Sequence, residues 1–555
     1  MKKKKKISGS FAMQATILVA ASIISKLIGM AYNIPFANIL SDEGNGYYGA
    51  AQTVYALILL IATFSIPAAV SKIMAERIEK GEYRNVKRIL NVAMLYVFVI
   101  GGIAAVFAYI GAPYLVTENS VLSLRVLAPT IFLSGFLSVF RGYYQAYGNM
   151  VPTSISQVVE QIFNAIFSIG AALFFMHLAL GKGYEKGSVQ YNVYGAAGGT
   201  VGTGVAVVAG LLYMIHLYLK ERKDFQKKIE ADNTENLLSY GAVLKMFLLI
   251  VTPIIFSSFI YNVNVTLDMN IYQKIMKTMH MGDDVIDGYY GIYSRMYLVL
   301  ANVPIAMAAA VASAIIPRVS GAYATGDRKT CNHSITESMQ LAMVFTVPCA
   351  VGFAVLGKPI SMLLYRRLSE SGTQMLTIML LLGAFSIMVY GISSVLNGVL
   401  QGIGKVNVPV ISSAVALVLH ILLLLPCLYV FHLGIYSLIL ATTFYAIIVV
   451  LMNYHFIKKE LDFKIEWKKT VLVPLASAFF MGIAAIVVYK GLDGLFNRIT
   501  GAYISNAVAI LTSILVAAGV YFIAMIKIGG YTEEMLLAFP KGTLIVKMAK
   551  KLHLI

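Results

Sequence analysis

The chain has 555 residues, of which 59% are hydrophobic and 13% are charged, and its mean hydropathy is +0.78. This composition lies far outside that of soluble globular proteins and predicts an all-α polytopic membrane protein. The formal charge of +18 does not indicate a nucleic-acid partner, because the Lys and Arg residues collect on one side of the predicted membrane topology.

About 14 apolar segments are long enough to be transmembrane helices, since a hydrocarbon core of about 30 Å takes roughly 20 residues per helix. Their centres lie near residues 24, 60, 100, 133, 165, 205, 252, 302, 345, 387, 419, 445, 480 and 515. With both termini in the cytoplasm, about 30 of the 44 Lys and Arg residues fall in inward segments. The chain is therefore predicted to be a multi-pass protein of a cytoplasmic-type membrane.

A duplicated pattern runs through these spans. Gly46–Gly49 (Gly-Tyr-Tyr-Gly), the first motif copy, returns 242 residues later as Gly288–Gly291, the second motif copy. The Gly-x-x-Gln-x-x-Gly pattern of residues 142–148 recurs at 398–404. An offset of about six spans restores the membrane orientation, so the repeats are parallel. A duplicated membrane domain typically places its substrate site between its halves, which predicts transport through a central cavity.

The repeat divides the chain into four predicted parts. They are an N-lobe (residues 1–220, spans 1 to 6), a cytoplasmic linker (221–240), a C-lobe (241–457, spans 7 to 12), and a C-terminal pair with a basic tail (458–555, spans 13 and 14). The charged linker is expected to form a short amphipathic helix. The terminal pair has no counterpart in the repeat and is expected to have a function that the twelve-helix core does not have.

Ionisable residues inside apolar spans need a hydrated cavity or a partner, because each costs about 2.5 to 3.5 kcal/mol on insertion scales. The candidates are Lys26, Glu160, Asp268, Arg295 and His420. Lys26 and Arg295 are either cations of a substrate cavity or members of structural ion pairs with Asp268 or Glu160. For Asp268 and Glu160 the functional alternative is coupling to Na⁺ or H⁺. His420 is expected to be an interior histidine with its hydrogen bonds satisfied.

Prolines and peripheral charges complete the set of candidates. Pro35, Pro67 and Pro304 interrupt spans 1, 2 and 8, where they are candidate hinges or passive kinks. Arg125 and Arg141, near opposite ends of span 4, are expected to be interfacial anchors. The glycines of span 6 at positions 195, 198, 199 and 202 predict close helix packing.

Four segments carry a resemblance to a known family. They are Ser25–Met30 in span 1, the first motif copy at the start of span 2, Ile66–Lys72 at its end, and Tyr293–Arg295 in span 8. Over nearly its whole length the chain resembles the MurJ/SpoVB/YtgP branch of the multidrug/oligosaccharidyl-lipid/polysaccharide exporter superfamily. The resemblance implies two six-helix lobes around a V-shaped cavity. It also implies flipping of lipid II, the undecaprenyl-pyrophosphate-linked peptidoglycan precursor, to the outer leaflet by alternating access.

The resemblance further implies which residues bind the pyrophosphate. A basic residue of span 1 and an arginine of span 8 carry over to Lys26 and Arg295. Tyr32 stands where the Gram-negative type has a second span 1 arginine, and Leu59-Leu60 replaces a basic pair of span 2. Substrate-binding candidates are therefore Lys26, Arg295, Tyr32 and Asn33. The less cationic cavity leaves another lipid-linked oligosaccharide or polysaccharide open as the substrate. In the family, spans 13 and 14 help to hold the lipid tail.

Two other functions are open at this point. A cation-coupled multidrug exporter would favour acidic cavity residues and twelve spans. A membrane glycosyltransferase would need an acidic or metal cluster, and the one acidic cluster, Asp283, Asp284 and Asp287, is expected to be a solvated loop. The chain is thus predicted to be a transporter without a cofactor, driven by Na⁺, H⁺ or the membrane potential. Its expected partners are a lipid-linked glycan and membrane lipids, with the cell-wall synthesis machinery left open, and a monomer suffices.

Overall fold

A computed structural model describes residues 11–63, 65–497 and 501–530, together with positions 547 and 550. In this part of the chain the structure is helical and contains no strand. The α-helices are α1 Phe11–Ile39, α2 Asp42–Thr63, α3 Ile66–Glu79, α4 Tyr83–Tyr96, α5 Gly102–Leu115, α6 Val121–Ala146, α7 Val151–Gly181, α8 Val189–Glu230, α9 Tyr240–Thr278, α10 Asp283–Gly291, α11 Leu298–Ala324, α12 Arg328–Leu364, α13 Glu370–Gly402, α14 Asn407–Tyr429, α15 Tyr436–Leu461, α16 Val473–Phe496 and α17 Ala502–Lys527. π-Helical turns at Val97–Gly101, Ile292–Tyr297 and Lys468–Leu472 join or extend some of them.

Within the described residues, 12 helical segments are long and apolar enough to cross a membrane. They coincide with the predicted spans 2 to 6 and 8 to 14, which confirms an all-α multi-pass membrane protein. Predicted spans 1 and 7 correspond to α1 and α9, which have 29 and 39 residues but are not among the 12. The total of 14 spans therefore stays a prediction.

The chain folds into two compact units, Met1–Arg295 and Met296–Ile555. The first unit ends beyond the predicted N-lobe because α9 packs on α2, α3 and α4. The lobe boundaries drawn from the repeat stay a prediction. Inside this unit α7 and α8 pack closely, as the glycine spacing predicts. A Cβ at Gly198 would lie 2.5 Å from the main-chain oxygen of Ala171, and a Cβ at Gly202 would overlap Ser168.

The predicted linker has a different structure from the separate helix that was expected. α8 continues without a break to Glu230 and includes the charged residues, so the expected amphipathic helix is its extension. The rest of the linker, residues 231–239, is mostly irregular and lies against the start of α4. There the buried Asn85 accepts a hydrogen bond from the Leu238 main-chain nitrogen at 2.9 Å and donates to the Asn236 carbonyl at 3.3 Å.

The second unit contains α11 to α17. In it α16 and α17, the predicted terminal pair, pack on each other and on α12. The contact is apolar, with Met343 and Val347 of α12 buried against Met481 of α16 and Met525 of α17. The Tyr521 hydroxyl also donates to the Val344 carbonyl at 3.2 Å. The pair is thus an integral part of this unit.

Candidate functional site

The two motif copies pack against each other in the first unit, where the start of α2 crosses α10 and the turn that follows it. A Cβ added at Gly46 would overlap the main-chain carbonyl of Asp287. A Cβ added at Gly49 would overlap the Ser294 hydroxyl and lie 3.4 Å from Cγ of Arg295. Glycine therefore occurs at these positions because the two helix backbones approach within the space of a side chain.

This crossing holds Arg295 in an aromatic setting. Arg295 lies on the π-helical turn Ile292–Tyr297, a kind of turn that is often found at functional sites. Its guanidinium carbon lies 4.3 Å from the centroid of the Tyr48 ring and 5.4 Å from that of Phe36. Both distances are within the range of cation–π attraction. Tyr48 belongs to the first motif copy, but no sequence pattern predicts that its ring contacts Arg295.

The Arg295 side chain is buried, with 8% of the residue exposed. Its Nε and Nη2 atoms have no hydrogen-bond acceptor in the described part of the chain. Unsatisfied buried donors of a charged group are costly, so this guanidinium is poised for an anionic acceptor. The planar fork of an arginine suits the oxygens of phosphate or carboxylate groups.

A polar network lies beside this arginine. The Tyr32 hydroxyl accepts a hydrogen bond from Asn164 Nδ2 at 2.7 Å, and Thr203 Oγ1 donates to Asn164 Oδ1 at 3.4 Å. Gln52 Nε2 donates to the Tyr48 hydroxyl at 3.0 Å and to Thr203 Oγ1 at 3.2 Å. These hydrogen bonds link Tyr32 to Tyr48, whose ring contacts Arg295, whereas the network residues of α2, α7 and α8 were not predicted.

A second charged site lies in the same unit. Arg141 of α6 forms an ion pair with Glu160 of α7, and Arg141 Nε donates to the Ser156 hydroxyl at 3.0 Å. The prediction that Arg141 is an interfacial anchor is wrong, because this pairing holds it between helices. Of the two roles predicted for Glu160, pairing in a cavity is the one that the structure shows. Its partner is neither Lys26 nor Arg295.

The remaining predicted binding residues lie on α1 and α9. Lys26 is exposed on α1, directly after Ser25, which lines the cavity beside Glu160. Asn33 is partly buried, and its Oδ1 has no partner among the described residues. Asp268 is buried on α9, with 2% of the residue exposed. Their roles in binding and coupling stay predictions.

The three predicted hinges differ in their settings. Pro35 is exposed inside α1. Pro67 lies at the start of α3, after α2 has ended at Thr63, so span 2 is interrupted as expected. Pro304 is buried in α11 of the second unit. A hinge function for any of them stays a prediction.

The acidic cluster lies on a helix instead of a loop, and Asp283 and Asp284 are exposed as expected whereas Asp287 is not. Asp283, Asp284 and Asp287 lie in the first turns of α10, and Asp287 is fully buried. Asp287 Oδ1 accepts hydrogen bonds from Gln273 Nε2 at 3.1 Å and Thr117 Oγ1 at 3.3 Å. The expectation failed for Asp287 because the close crossing of α2 and α10 covers this residue. No group of three or more metal-ligating side chains occurs in the described ranges.

Comparison with known proteins gives a consistent assignment. The family model described as "Polysaccharide biosynthesis protein" matches residues 11–322, and a model described as "MatE" matches residues 253–425. The lipid II flippase MurJ of Bacillus subtilis (strain 168) is 27% identical over 531 residues, which cover 92% of this chain and 94% of that protein. Stage V sporulation protein B of the same organism is 21% identical over 550 residues, which cover 97% of this chain and 99% of that protein.

A solved structure shares the fold. The inward closed conformation of the lipid II flippase MurJ superposes with a TM-score of 0.62 at 17% sequence identity, covering 92% of this chain and 99% of that one. The relatives named for an activity are transporters, which agrees with the helical, membrane-spanning architecture. The chain is therefore a multi-pass membrane transporter of the polysaccharide biosynthesis protein family, in the MurJ/SpoVB/YtgP branch of the multidrug/oligosaccharidyl-lipid/polysaccharide exporter superfamily.

Proposed function

We propose that this protein flips a polyprenyl-pyrophosphate-linked cell-wall precursor, lipid II in the first instance, from the inner to the outer leaflet by alternating access. The setting of Arg295 carries the proposal. A buried guanidinium with two donors that lack acceptors among the described residues, and that contacts the rings of Tyr48 and Phe36, is suited to bind an anionic headgroup. The similarity to the lipid II flippase of Bacillus subtilis supports the choice of substrate.

Moving a charged headgroup across a membrane requires a site that can take the place of water. A pyrophosphate and sugar headgroup cannot cross hydrocarbon unaided, because desolvating a charge costs many kcal/mol. Arg295 and Lys26 supply positive charge, while Tyr32 and Asn33 supply hydrogen-bonding groups on the same helix as Lys26. No bond is broken, so the protein needs only to replace the hydration shell of the headgroup. Asp268 and Glu160 are the candidates for coupling the cycle to Na⁺, H⁺ or the membrane potential.

A different polyprenyl-linked oligosaccharide is the second candidate substrate. Tyr32 and Leu59-Leu60 occupy positions that are basic in Gram-negative lipid II flippases, which leaves fewer charges for the headgroup. The chain is also similar to stage V sporulation protein B, so relatives within this family differ in name and role.

The test is depletion of the protein in its host, in a strain without other lipid II flippases, combined with a probe for lipid II exposed on the outer leaflet. Exposure should be lost on depletion and restored by the wild type and by Arg125→Ala, but not by Arg295→Ala. Unchanged exposure, with loss of another surface glycan, would move the proposal to the second substrate. Unchanged flipping by Lys26→Ala/Arg295→Ala protein in reconstituted vesicles would contradict the proposed binding site.

A further inference from the structure

The Arg141–Glu160 ion pair lies in a polar cavity that the proposed function leaves without a role. The cavity has a volume of about 280 Å³ and is lined by Ser25, Arg141, Gln157, Glu160 and Gln161. The two charged side chains are mostly buried, with 16% and 17% of their surface exposed. At about 30 Å³ per water molecule, such a space holds several waters or one hydrated phosphate group.

Stability is a weak reason for a pair of charges here. Replacing a buried ion pair by well-packed apolar residues is often neutral or stabilising, because removing two charges from water offsets their attraction. The surroundings nevertheless make room for the pair, since a Cβ at Gly210 would lie 2.9 Å from Glu160 Cγ. A pair that is costly to bury and lines a polar cavity is better suited to exchanging partners with a ligand.

The cavity and Arg295 both lie beside α1. Phe36 contacts the Arg295 guanidinium, and Ser25 lines the cavity of the Arg141–Glu160 pair. The two positions are eleven residues apart, which corresponds to about 16 Å at 1.5 Å per residue. The two arginines therefore lie at successive positions along α1 in the first unit.

We propose that Arg141 is a second binding station for the diphosphate of the lipid-linked substrate, and that Glu160 is its counter-ion when the station is empty. The inference rests on the function proposed above. A diphosphate that enters the cavity replaces the Glu160 carboxylate as the acceptor of the Arg141 fork, and the carboxylate is hydrated by the polar cavity. The same exchange lets the diphosphate leave, because Glu160 competes for Arg141. Glu160 thus keeps the station from holding the anion too tightly.

The test measures binding of inorganic pyrophosphate to the full-length protein in detergent. Glu160→Gln should bind pyrophosphate about tenfold more tightly, which corresponds to one decade in Kd, because the competing carboxylate is gone. Arg141→Gln should weaken binding by a similar factor. The matched control is Arg125→Gln, which removes the same charge from the same helix at a site where the arginine contacts Tyr109 instead of the cavity. It should bind as the wild type does.

A merely structural pair would behave differently. If the pair is only structural, Glu160→Gln and Arg141→Gln should both lower the melting temperature without shifting pyrophosphate affinity in opposite directions. That result would overturn the inference. Gln161→Glu serves where Glu160→Gln does not fold, because it adds a carboxylate to the cavity wall with little change of shape. It should weaken pyrophosphate binding, and unchanged affinity would count against the station.

The outcomes also separate this inference from the proposed function. If Arg295→Gln reduces binding while the Arg141 and Glu160 variants match the wild type, only the second station fails. If no variant, nor the wild type, binds pyrophosphate, both proposals fail. If Glu160→Gln still tightens binding in an Arg295→Gln background, Arg141 binds the anion independently.

Discussion

At the scale of single residues, the contact between Tyr48 and Arg295 makes a direct prediction. Cation–π attraction contributes about 0.5 to 2 kcal/mol, which is about 2- to 30-fold in affinity. Tyr48→Leu should therefore weaken pyrophosphate binding by a factor in this range. Tyr48→Phe keeps the ring and is the matched control, so it should bind within about twofold of the wild type on the same scale. If Tyr48→Leu and the wild type bind pyrophosphate with equal affinity, the Tyr48 ring does not contribute to binding.

The residue scale also shows what the sequence could and could not predict. Arg295 was recognisable as a candidate because an arginine deep in an apolar span needs an unusual environment. The pairing of Arg141 with Glu160 was not, because the residues lie on different helices and only tertiary packing brings them together. The burial of Asp287 was missed for a related reason. An acidic residue near the start of a helix usually faces solvent, and the glycine crossing that covers Asp287 leaves no local signal in the sequence.

At the scale of helices, the glycine crossing should be sensitive to a single methyl group. Gly46→Ala and Gly49→Ala would force α2 away from α10 and its following turn, at a cost of about 1 to 3 kcal/mol for an overpacked contact. We expect a lower melting temperature in detergent and reduced flipping in vesicles. Gly288→Ala is the matched control from the second motif copy, because its Cβ would meet no atom closer than 3.8 Å. A Gly288→Ala protein as impaired as Gly46→Ala would show that the crossing does not explain the motif.

The contact between α4 and the linker is a second prediction at this scale. Asn85→Ala removes the acceptor of the Leu238 main-chain nitrogen, and an unsatisfied buried donor costs about 1 to 3 kcal/mol. The segment 231–239 should therefore detach more often and be cleaved faster by a Glu-specific protease at the exposed Glu235. Lys87→Ala, on the exposed side of the same helix, should be cleaved at the wild-type rate. Equal rates for the two variants would mean that Asn85 does not hold the linker.

At the scale of the whole molecule, hydropathy predicted most of the spans, because the bilayer imposes a minimum apolar length on every crossing. The duplication was also visible in the sequence, because the Gly-Tyr-Tyr-Gly motif recurs; of its glycines, Gly46, Gly49 and Gly291 lie where atoms of the other motif copy or the turn after it approach closely. The boundary between compact units was not readable. The repeat assigns span 7 to the second lobe, whereas α9 packs on α2, α3 and α4 of the first unit. The repeat reflects duplication of the sequence, whereas the boundary between the compact units reflects which helices pack in the same core.

The orientation and the number of spans can be tested together by cysteine labelling. The three native cysteines, Cys331, Cys349 and Cys427, are first replaced, and single cysteines are placed in three loops. With 14 spans and a cytoplasmic N-terminus, Lys186→Cys and Gly282→Cys are outside and Glu235→Cys is inside. An impermeant maleimide should then label the first two in intact cells and the third only after permeabilisation.

The decisive comparison is between Glu235→Cys and Gly282→Cys, which flank α9. With 39 residues, α9 exceeds the roughly 20 that a crossing needs, so the two positions should lie on opposite sides. If both are labelled from the same side, α9 does not cross, and the positive-inside assignment of every later loop inverts. If the sides are opposite but exchanged, the span count holds and the orientation is wrong. The expected pattern would place the Lys-rich end of α8 in the cytoplasm, in agreement with the excess of positive charge expected for inward segments.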